Sequence, residues 1–448
     1  MTRTDLPVIR DACPSVHEPF DQLDGALVRI RVPGGILAAR DLRHVAEVVS
    51  AHGSALEITS RANLQIRGVT PQSHRHLVRD LVGVGLALAD VSADARRNVL
   101  ASPTAGCDPH EVTDTRALVA TASAVLADCV GVSPKFGVLI DGGGLTHVRG
   151  RRQDISLGAL KLHDGYIGYE VRLAEALPER PENGTAWVVA PHDAGDLLAG
   201  ALELMAERVE AKGRMADLVA LRGRVDVLDD AASRRGVRLR RVPPPAICAR
   251  SEPSHRPIGA LPQRQVGLSM VGAMPLLGRL SAEACGDIAD VATAVGARGQ
   301  DAEVRLTPWR SVLIPNVATE QADAALAALE ELGLAVVESD PALSVVACAG
   351  SAGCPASYTD TQRDGLAVVA ALRAASSRLL SVHLSGCAKR CADGATEFDV
   401  TLVGGPTPGS YEVTSSRDAS LNPTGAGIRV EANTVAEHIA SMARSGDA

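Results

Sequence analysis

An internally duplicated α/β protein is the fold class that the sequence predicts, and three observations predict it. Residues 34–69 and 277–317 repeat one order of features: a Gly-led start, a stretch of helical period, a Gly break, then alternating β-type residues. A stretch rich in Pro, Arg and Ser, 241–265, divides the 448-residue chain into two comparable halves. Near the C-terminus, four of the nine cysteines fall into two spaced pairs, each beyond a strand-like run.

Taken in order, the first copy is preceded by "GALVRIRVPGG" and the second by "VGLSMVGAMP", both strand-like. Aligning Thr59 with Thr307 sets "ITSRANLQI" over "LTPWRSVLI", with Leu64 over Val312 and Ile66 over Ile314. That repetition predicts two βαβ-containing units of common origin. Between the copies, "SPKFGVLIDGGG" reads as a buried strand ending in a glycine turn, and 194–236 as one long helical pattern. After the second copy, "ALSVVACAGSAGC" is a strand breaking into a loop, "TDTQRDGLAVVAALRAASS" a helix, and "LLSVHLSGC" a second strand. The expected divisions are 1–75 and 266–335 for the two halves, 76–240 and 336–448 for two α/β lobes, and 241–265 for a surface linker.

Composition limits the function. The chain is 46% hydrophobic and only 2% aromatic, so Leu, Val, Ala and Ile must fill its cores. No apolar run reaches the roughly 18 residues of a membrane span. The start lacks the apolar run of a signal peptide, so a cytoplasmic address is expected. A net charge of -8 argues against a general nucleic-acid binder. Lysine occurs only at 135, 161, 212 and 389, which leaves arginine to supply most of the cations and, with them, forked carboxylate donors.

The pairs are Cys348-x5-Cys354 and Cys387-x3-Cys391, separated by thirty-two residues. Both loops leave the carboxyl ends of strands separated by one helix, and a right-handed crossover sets such loops side by side. Four convergent thiolates suit zinc or an iron–sulfur cluster. The x5 and x3 spacings are wider than zinc knuckles and favour a [4Fe–4S] cluster.

The cysteine pattern on a duplicated chain resembles the nitrite and sulfite reductase superfamily, whose fold combines two ferredoxin-like halves with two α/β lobes. The resemblance implies that Cys348, Cys354, Cys387 and Cys391 hold a [4Fe–4S] cluster, which in the reductases is joined to sirohaem. "TSRANLQIRGV", "RRNVLASP" and "SPKF" are similar to that family's cationic motifs and place Arg61, Arg97 and Lys135 against a tetrapyrrole. The reductases carry a second Lys, or an Asn, two residues after the lysine; this chain has Gly137. That departure weakens the reading as an anion reductase.

"DGALVRIRVPGG", "RLTPWRSVLIP", "VVACAGSAGCP" and "HLSGCAKRCADG" resemble the precorrin-3B synthase family within that superfamily. The resemblance implies an NADH-linked monooxygenase of aerobic cobalamin biosynthesis, taking precorrin-3A and O2 to a C20-hydroxylated γ-lactone. It also implies an electron-donor protein, since the chain carries no dinucleotide fingerprint. Arg61, Arg97, Lys135 and Arg310 are the expected carboxylate-binding set, with Arg67 and Lys389 beside them and Trp309 able to stack on a macrocycle. No histidine spacing identifies a mononuclear non-haem iron, and the oxygen-activating residue is unassigned. His74 and His76, the one His-x-His, are expected at an exposed helix start, and the glycines after Asp141 in an ordinary turn. Two alternatives stay open: a sirohaem-dependent nitrite or sulfite reductase, and a zinc-stabilised binding module without catalysis.

Overall fold

A computed structural model describes residues 13–177, 186–207, 213–243, 255–296, 301–375, 380–392, 398–415 and 428–445. The duplication is visible in hydrogen bonds. In the first copy, Thr59 Oγ1 accepts from the amides of Arg61 and Asn63 at 3.3 and 3.1 Å, and Thr59 N donates to Asn63 O at 2.9 Å. In the second, Thr307 Oγ1 accepts from Trp309 and Ser311 at 3.2 and 3.3 Å, and Thr307 N donates to Ser311 O at 2.9 Å. The fourth residue of each turn has positive φ, +55° at Ala62 and +64° at Arg310, although neither is glycine. The same turn has been kept twice, with its left-handed residue.

Each half is a ferredoxin-like sheet backed by two helices, and the halves exchange their short strands. The first sheet runs Ala26–Ile30, Leu64–Val69, Ala55–Ile58 and then Arg279–Leu280, borrowed from the second copy. The second runs Gly259–Pro262, Leu268–Ala273, Val312–Ala318, Glu303–Leu306 and then Ile36–Ala38, borrowed from the first. The helices Ala39–His52 and Ala282–Val295 pack on one another between the sheets. Their apolar residues recur at helical spacing, Leu42, Val45, Ala46 and Val49 against Cys285, Ile288, Ala289 and Ala292, and all are buried in one core shared by both halves. Side chains start two of the helices. Thr70 and Ser73 form a capping box at the head of Pro71–Gly83, where His74 and His76 sit in the first turns, and Ser281 Oγ accepts from Ala284 N at 3.0 Å.

The first lobe is a six-stranded sheet, Leu239–Val242, Ala186–Val189, Ile167–Leu173, Ile155–Lys161, Val138–Asp141 and Val99–Ala101, with its own core. The long helix expected over 194–236 is instead three: Ala194–Ala206, Met215–Arg222 and Arg224–Arg234. Gly223, at φ +82°, ends the second, and Gly213, at φ +66°, lies just before it; a left-handed residue cannot continue an α-helix. Of the linker stretch 241–265, residues 244–254 lie outside the described residues, and Gly259–Pro262 is an edge strand. The glycine turn after Asp141 is tied by its buried carboxylate, which accepts from Gly143 N, Ser102 Oγ and Val148 N.

The C-terminal lobe carries the sheet Val345–Ala347, Val382–Ser385, Val400–Gly404, Ser410–Ser415 and Ile428–Glu431. Its first two strands pair in parallel, with the helix Thr361–Ala375 between them in sequence. Among the described residues, no helix is long and apolar enough to cross a membrane. Thr307→Val removes the acceptor for two turn amides and the partner of Ser311 Oγ at 2.6 Å. Urea unfolding of that variant should show a loss of about 1–3 kcal/mol.

Candidate functional site: four thiols beside a cationic cleft

The parallel pair of strands sets both cysteine loops at one sheet edge. Cys348 follows Val345–Ala347, its amide continuing the ladder to Leu384 O at 3.1 Å, and Cys387 follows Val382–Ser385. The loops bond to each other: Tyr358 N donates to Gly386 O at 2.8 Å and Gly386 N to the Cys348 sulfur at 3.2 Å. Thr361 Oγ1 lies 3.5 Å from that sulfur. A Cβ on Gly386 would lie 1.7 Å from Ser357 Oγ, so only glycine permits this approach. The Cys391 thiol is pushed up, first by burial and then by Cys387, Cys348 and Cys354, which places all four thiols within electrostatic reach.

Among the described residues, no three His, Cys, Asp or Glu side chains form a set able to hold a single metal ion. A cubane cluster binds each thiolate to a different iron, so its ligands stand further apart than four donors around one ion. Four sulfurs from two loops, with an amide already aimed at one of them, fit such a group chemically. One loop is also pinned to the first half. Arg67, 3% exposed, donates to Asp24 through Nε at 2.7 Å and Nη2 at 3.0 Å, and its Nη2 reaches Gly353 O at 3.1 Å, next to Cys354.

Arginines gather beside the cysteine loops, which Arg67 and Arg310 touch directly. Arg31 joins several of the neighbouring segments. This side chain, 2% exposed, reaches Asn98 Oδ1 and Pro134 O, both at 3.4 Å, so it touches the segments bearing Arg97 and Lys135, and Arg61 is an electrostatic neighbour. Its Nε is buried without a partner. Burial, then the charge of Arg29, lowers the Arg31 guanidinium to about 10. Arg97 is paired with Asp94 at 2.6 Å, and Asp94 faces Arg31 as well. Arg310 donates to Ala392 O at 3.3 Å in the second cysteine loop, and Cys348 is an electrostatic neighbour. Lys389 is exposed in that loop, near Cys391.

Burial is the first cause that depresses Arg29, Arg31, Arg151, Arg256 and Arg310 alike. All but Arg31 nevertheless retain exposed surface. Partial burial thus weakens the hydration of several arginines that still keep contact with water. Arg151 and Arg256 lie in no motif, and Arg29 and Arg31 lie within "DGALVRIRVPGG" with no role assigned to them there. The alternation in "VRIRV" does put Arg29 and Arg31 on one face of a strand and was the available signal.

The two halves use equivalent faces differently. On the first sheet, register aligns Arg29, Gln65, Glu57 and Arg279 in one row. They bond along it: Arg29 donates to Gln65, Gln65 to Glu57 at 3.1 Å, and Arg279 to Glu57 at 2.9 Å. The matching row of the second sheet is Gly272, Leu313, Arg305 and Ile36. It is sealed. Arg305, fully buried, donates to Pro103 O at 2.8 Å and Ala105 O at 2.7 Å from the first lobe, and Leu313 packs with Cys107 and Met270.

Gly137 occupies a crowded position. Its amide donates to Asp154 Oδ2 at 3.0 Å, and a Cβ built on it would lie 2.1 Å from Gln153 Oε1 and 3.0 Å from Asn98 Nδ2. Gln153, 8% exposed, and Asn98 fill the space that a side chain at 137 would need.

The sequence profile described as Nitrite/Sulfite reductase ferredoxin-like half domain matches residues 20–83 and 261–332. Over 407 residues the chain is 30% identical to a precorrin-3B synthase of Sinorhizobium sp, spanning 89% of this chain and 81% of that one. It is 29% identical over 425 residues to a chloroplastic ferredoxin–nitrite reductase of Zea mays, spanning 87% and 72%. It is 27% identical over 405 residues to a ferredoxin–nitrite reductase of Synechococcus elongatus, spanning 84% and 76%. The solved structure of Mycobacterium tuberculosis NirA protein superposes with a TM-score of 0.71 over 94% of this chain and 80% of that one, at 21% identity, which is a likeness of fold.

Two outcomes are expected from this geometry. Anaerobically purified Cys354→Ser should lose the paramagnetic resonance signal of a reduced cluster and most of its iron; an unchanged signal would remove Cys354 from the ligand set. Gly137→Lys should displace Gln153 and lower stability by about 1–3 kcal/mol in urea unfolding, as overpacking does.

Proposed function

Because the chain belongs to the nitrite/sulfite reductase family built on ferredoxin-like half domains, we propose that it is an enzyme acting on a tetrapyrrole, and specifically a precorrin-3B synthase. The substrate in this reading is precorrin-3A, hydroxylated at C20 with closure of an acetate arm to a γ-lactone. One atom of O2 enters the product and the other leaves as water, with two electrons from NADH supplied through a donor protein. The place of work is the cytoplasm, in aerobic cobalamin biosynthesis.

The lack of a side chain at Gly137 carries the choice between branches. Reduction of nitrite or sulfite calls for a positioned donor at the anion, and the family's donor at this place is a Lys or Asn side chain. Here the volume is taken by Gln153 and Asn98. In this reading the arginines near the cysteine loops line a cleft for a ligand with many carboxylates. Arg61, Arg97, Lys135 and Arg310 are the proposed carboxylate set, and Arg29 and Arg31 join them from the first sheet's open face. Arg97 also holds Asp94, whose charge offsets Arg31 until a substrate carboxylate arrives.

Cys348, Cys354, Cys387 and Cys391 would hold a [4Fe–4S] cluster, which supplies one-electron transfer at the edge of the cleft. The residues around it orient: Gly386 N steadies one thiolate and Arg67 fixes the loop of another. A mononuclear non-haem iron would complete the oxygen chemistry, and no residue is assigned to it.

A second reading, a sirohaem-dependent nitrite or sulfite reductase, is favoured by the 29% identity to the maize enzyme over a comparable span. One preparation separates the two. Anaerobically purified protein, given precorrin-3A, O2, NADH and a reductase, should convert the tetrapyrrole to a species heavier by one oxygen atom and show only the broad shoulder of an iron–sulfur centre. Soret and red bands, with nitrite or sulfite reduction and unchanged precorrin-3A, would reverse the assignment. Zinc without iron or sulfide would favour the zinc-stabilised module.

A further inference from the structure

Arg151 sits where the two equivalent turns meet. Its Nη1 lies 3.4 Å from Ser60 O and its Nη2 3.4 Å from Pro308 O, and these two carbonyls hold the same place in the two copies. Its guanidinium carbon stands 5.6 Å from the ring centroid of Trp309, the residue aligned with Arg61. Arg256 is an electrostatic neighbour that repels it, and Arg256 itself donates to Leu343 O in the C-terminal lobe. Neither Arg151 nor Arg256 pairs with a carboxylate among the described residues.

Two neighbouring like charges, one of them half-buried and neither with a counter-ion among the described residues, cost folding free energy that an apolar pair would not. Burial lowers the Arg151 guanidinium to about 10, with Arg256 adding to the shift. Both side chains keep exposed surface, Arg256 more than Arg151, and a dissolved anion can reach them. The 3.4 Å contacts to the two carbonyls are long for hydrogen bonds, so the Arg151 fork is only lightly committed. An arriving anion would relieve the repulsion and accept from the fork, and the indole would give an apolar wall to the carbon arm behind it.

We propose that Arg151, at the Trp309 face, forms with its neighbour Arg256 an anion subsite that takes one peripheral carboxylate of the tetrapyrrole. The proposal rests on the tetrapyrrole reading of the cleft and deepens it. It assigns a ligand to the junction of the two halves, apart from Arg31.

The chain has two tryptophans, so Trp187→Phe leaves Trp309 as the single reporter. In that background, Trp309 emission is followed while uroporphyrin III, an eight-carboxylate macrocycle, or inorganic phosphate is added at constant ionic strength. Uroporphyrin should quench saturably. Arg151→Gln should weaken its binding on the order of tenfold or more, as loss of a charged hydrogen-bonding group does, with Arg256→Gln also weakening it. Arg151→Lys should recover part of the loss, because it restores charge without the fork. Thermal melting checks that each variant is folded.

Uroporphyrin binding that is unchanged in folded Arg151→Gln and Arg256→Gln overturns the subsite and leaves the cleft reading standing. Saturable phosphate quenching that depends on Arg151, with porphyrin affinity independent of it, overturns the carboxylate assignment in favour of a free oxyanion. If the parent protein binds no uroporphyrin, the tetrapyrrole reading fails and takes the subsite with it.

Discussion

The exchange of short strands between the two halves is the constraint on which the rest of the molecule depends. Ile36–Ala38 completes the sheet of the second copy and Arg279–Leu280 that of the first, so neither half closes its sheet alone. With the helices Ala39–His52 and Ala282–Val295 packed between them, the halves share one core and are held at a fixed mutual angle. That angle brings the turns at Thr59 and Thr307 to the two sides of Arg151. It also leaves two equivalent sheet faces, of which one is plugged by the first lobe and the other opens toward the cysteine loops.

The open face keeps charge at a cost. Removing a guanidinium from bulk water is penalised by several kcal/mol unless partners repay it. On the sealed face Arg305 is repaid by backbone carbonyls and Glu303. Beside the open face Arg31 has two long contacts and an Nε without a partner, and Arg151, between the two turns, has carbonyls at similar range. The contrast within one protein separates an arginine satisfied by its own chain from arginines with hydrogen-bonding capacity to spare. Beside this face, Arg67 and Arg310 reach one cysteine loop each, so the thiol site and the cleft are built as a unit.

Much of this was legible in the sequence, because it is local in character. The strand–loop–helix–strand order around the cysteines determines which strand ends are neighbours, and the parallel pairing of Val345–Ala347 with Val382–Ser385 follows from it. The Thr59–Thr307 alignment extends to individual hydrogen bonds, since a tight turn depends on its own few residues. Other features were hidden. Strand exchange depends on two segments far apart in sequence, which periodicity cannot report. The break of 194–236 into three helices turns on Gly213 and Gly223, whose positive φ is a tertiary choice. Arg31 lies within "DGALVRIRVPGG" without standing out there, Arg151 and Arg256 stand in no motif, and the partners of all three required coordinates. Gly137 could be read as a missing donor, but that Gln153 occupies its volume required coordinates.

The plugged face has a consequence for how such a protein can change. Pulling the Pro103–Cys107 segment away would bare Arg305 but would not regenerate a second basin, because Gly272 and Leu313 stand where Arg29 and Gln65 do on the other side. A carbonyl of Pro257 also presses on Gly272 so closely that no side chain could return there alone. The symmetry of the two faces is closed off at more than one point, and the twin of the Arg29 face serves as mortar between the second half and the first lobe.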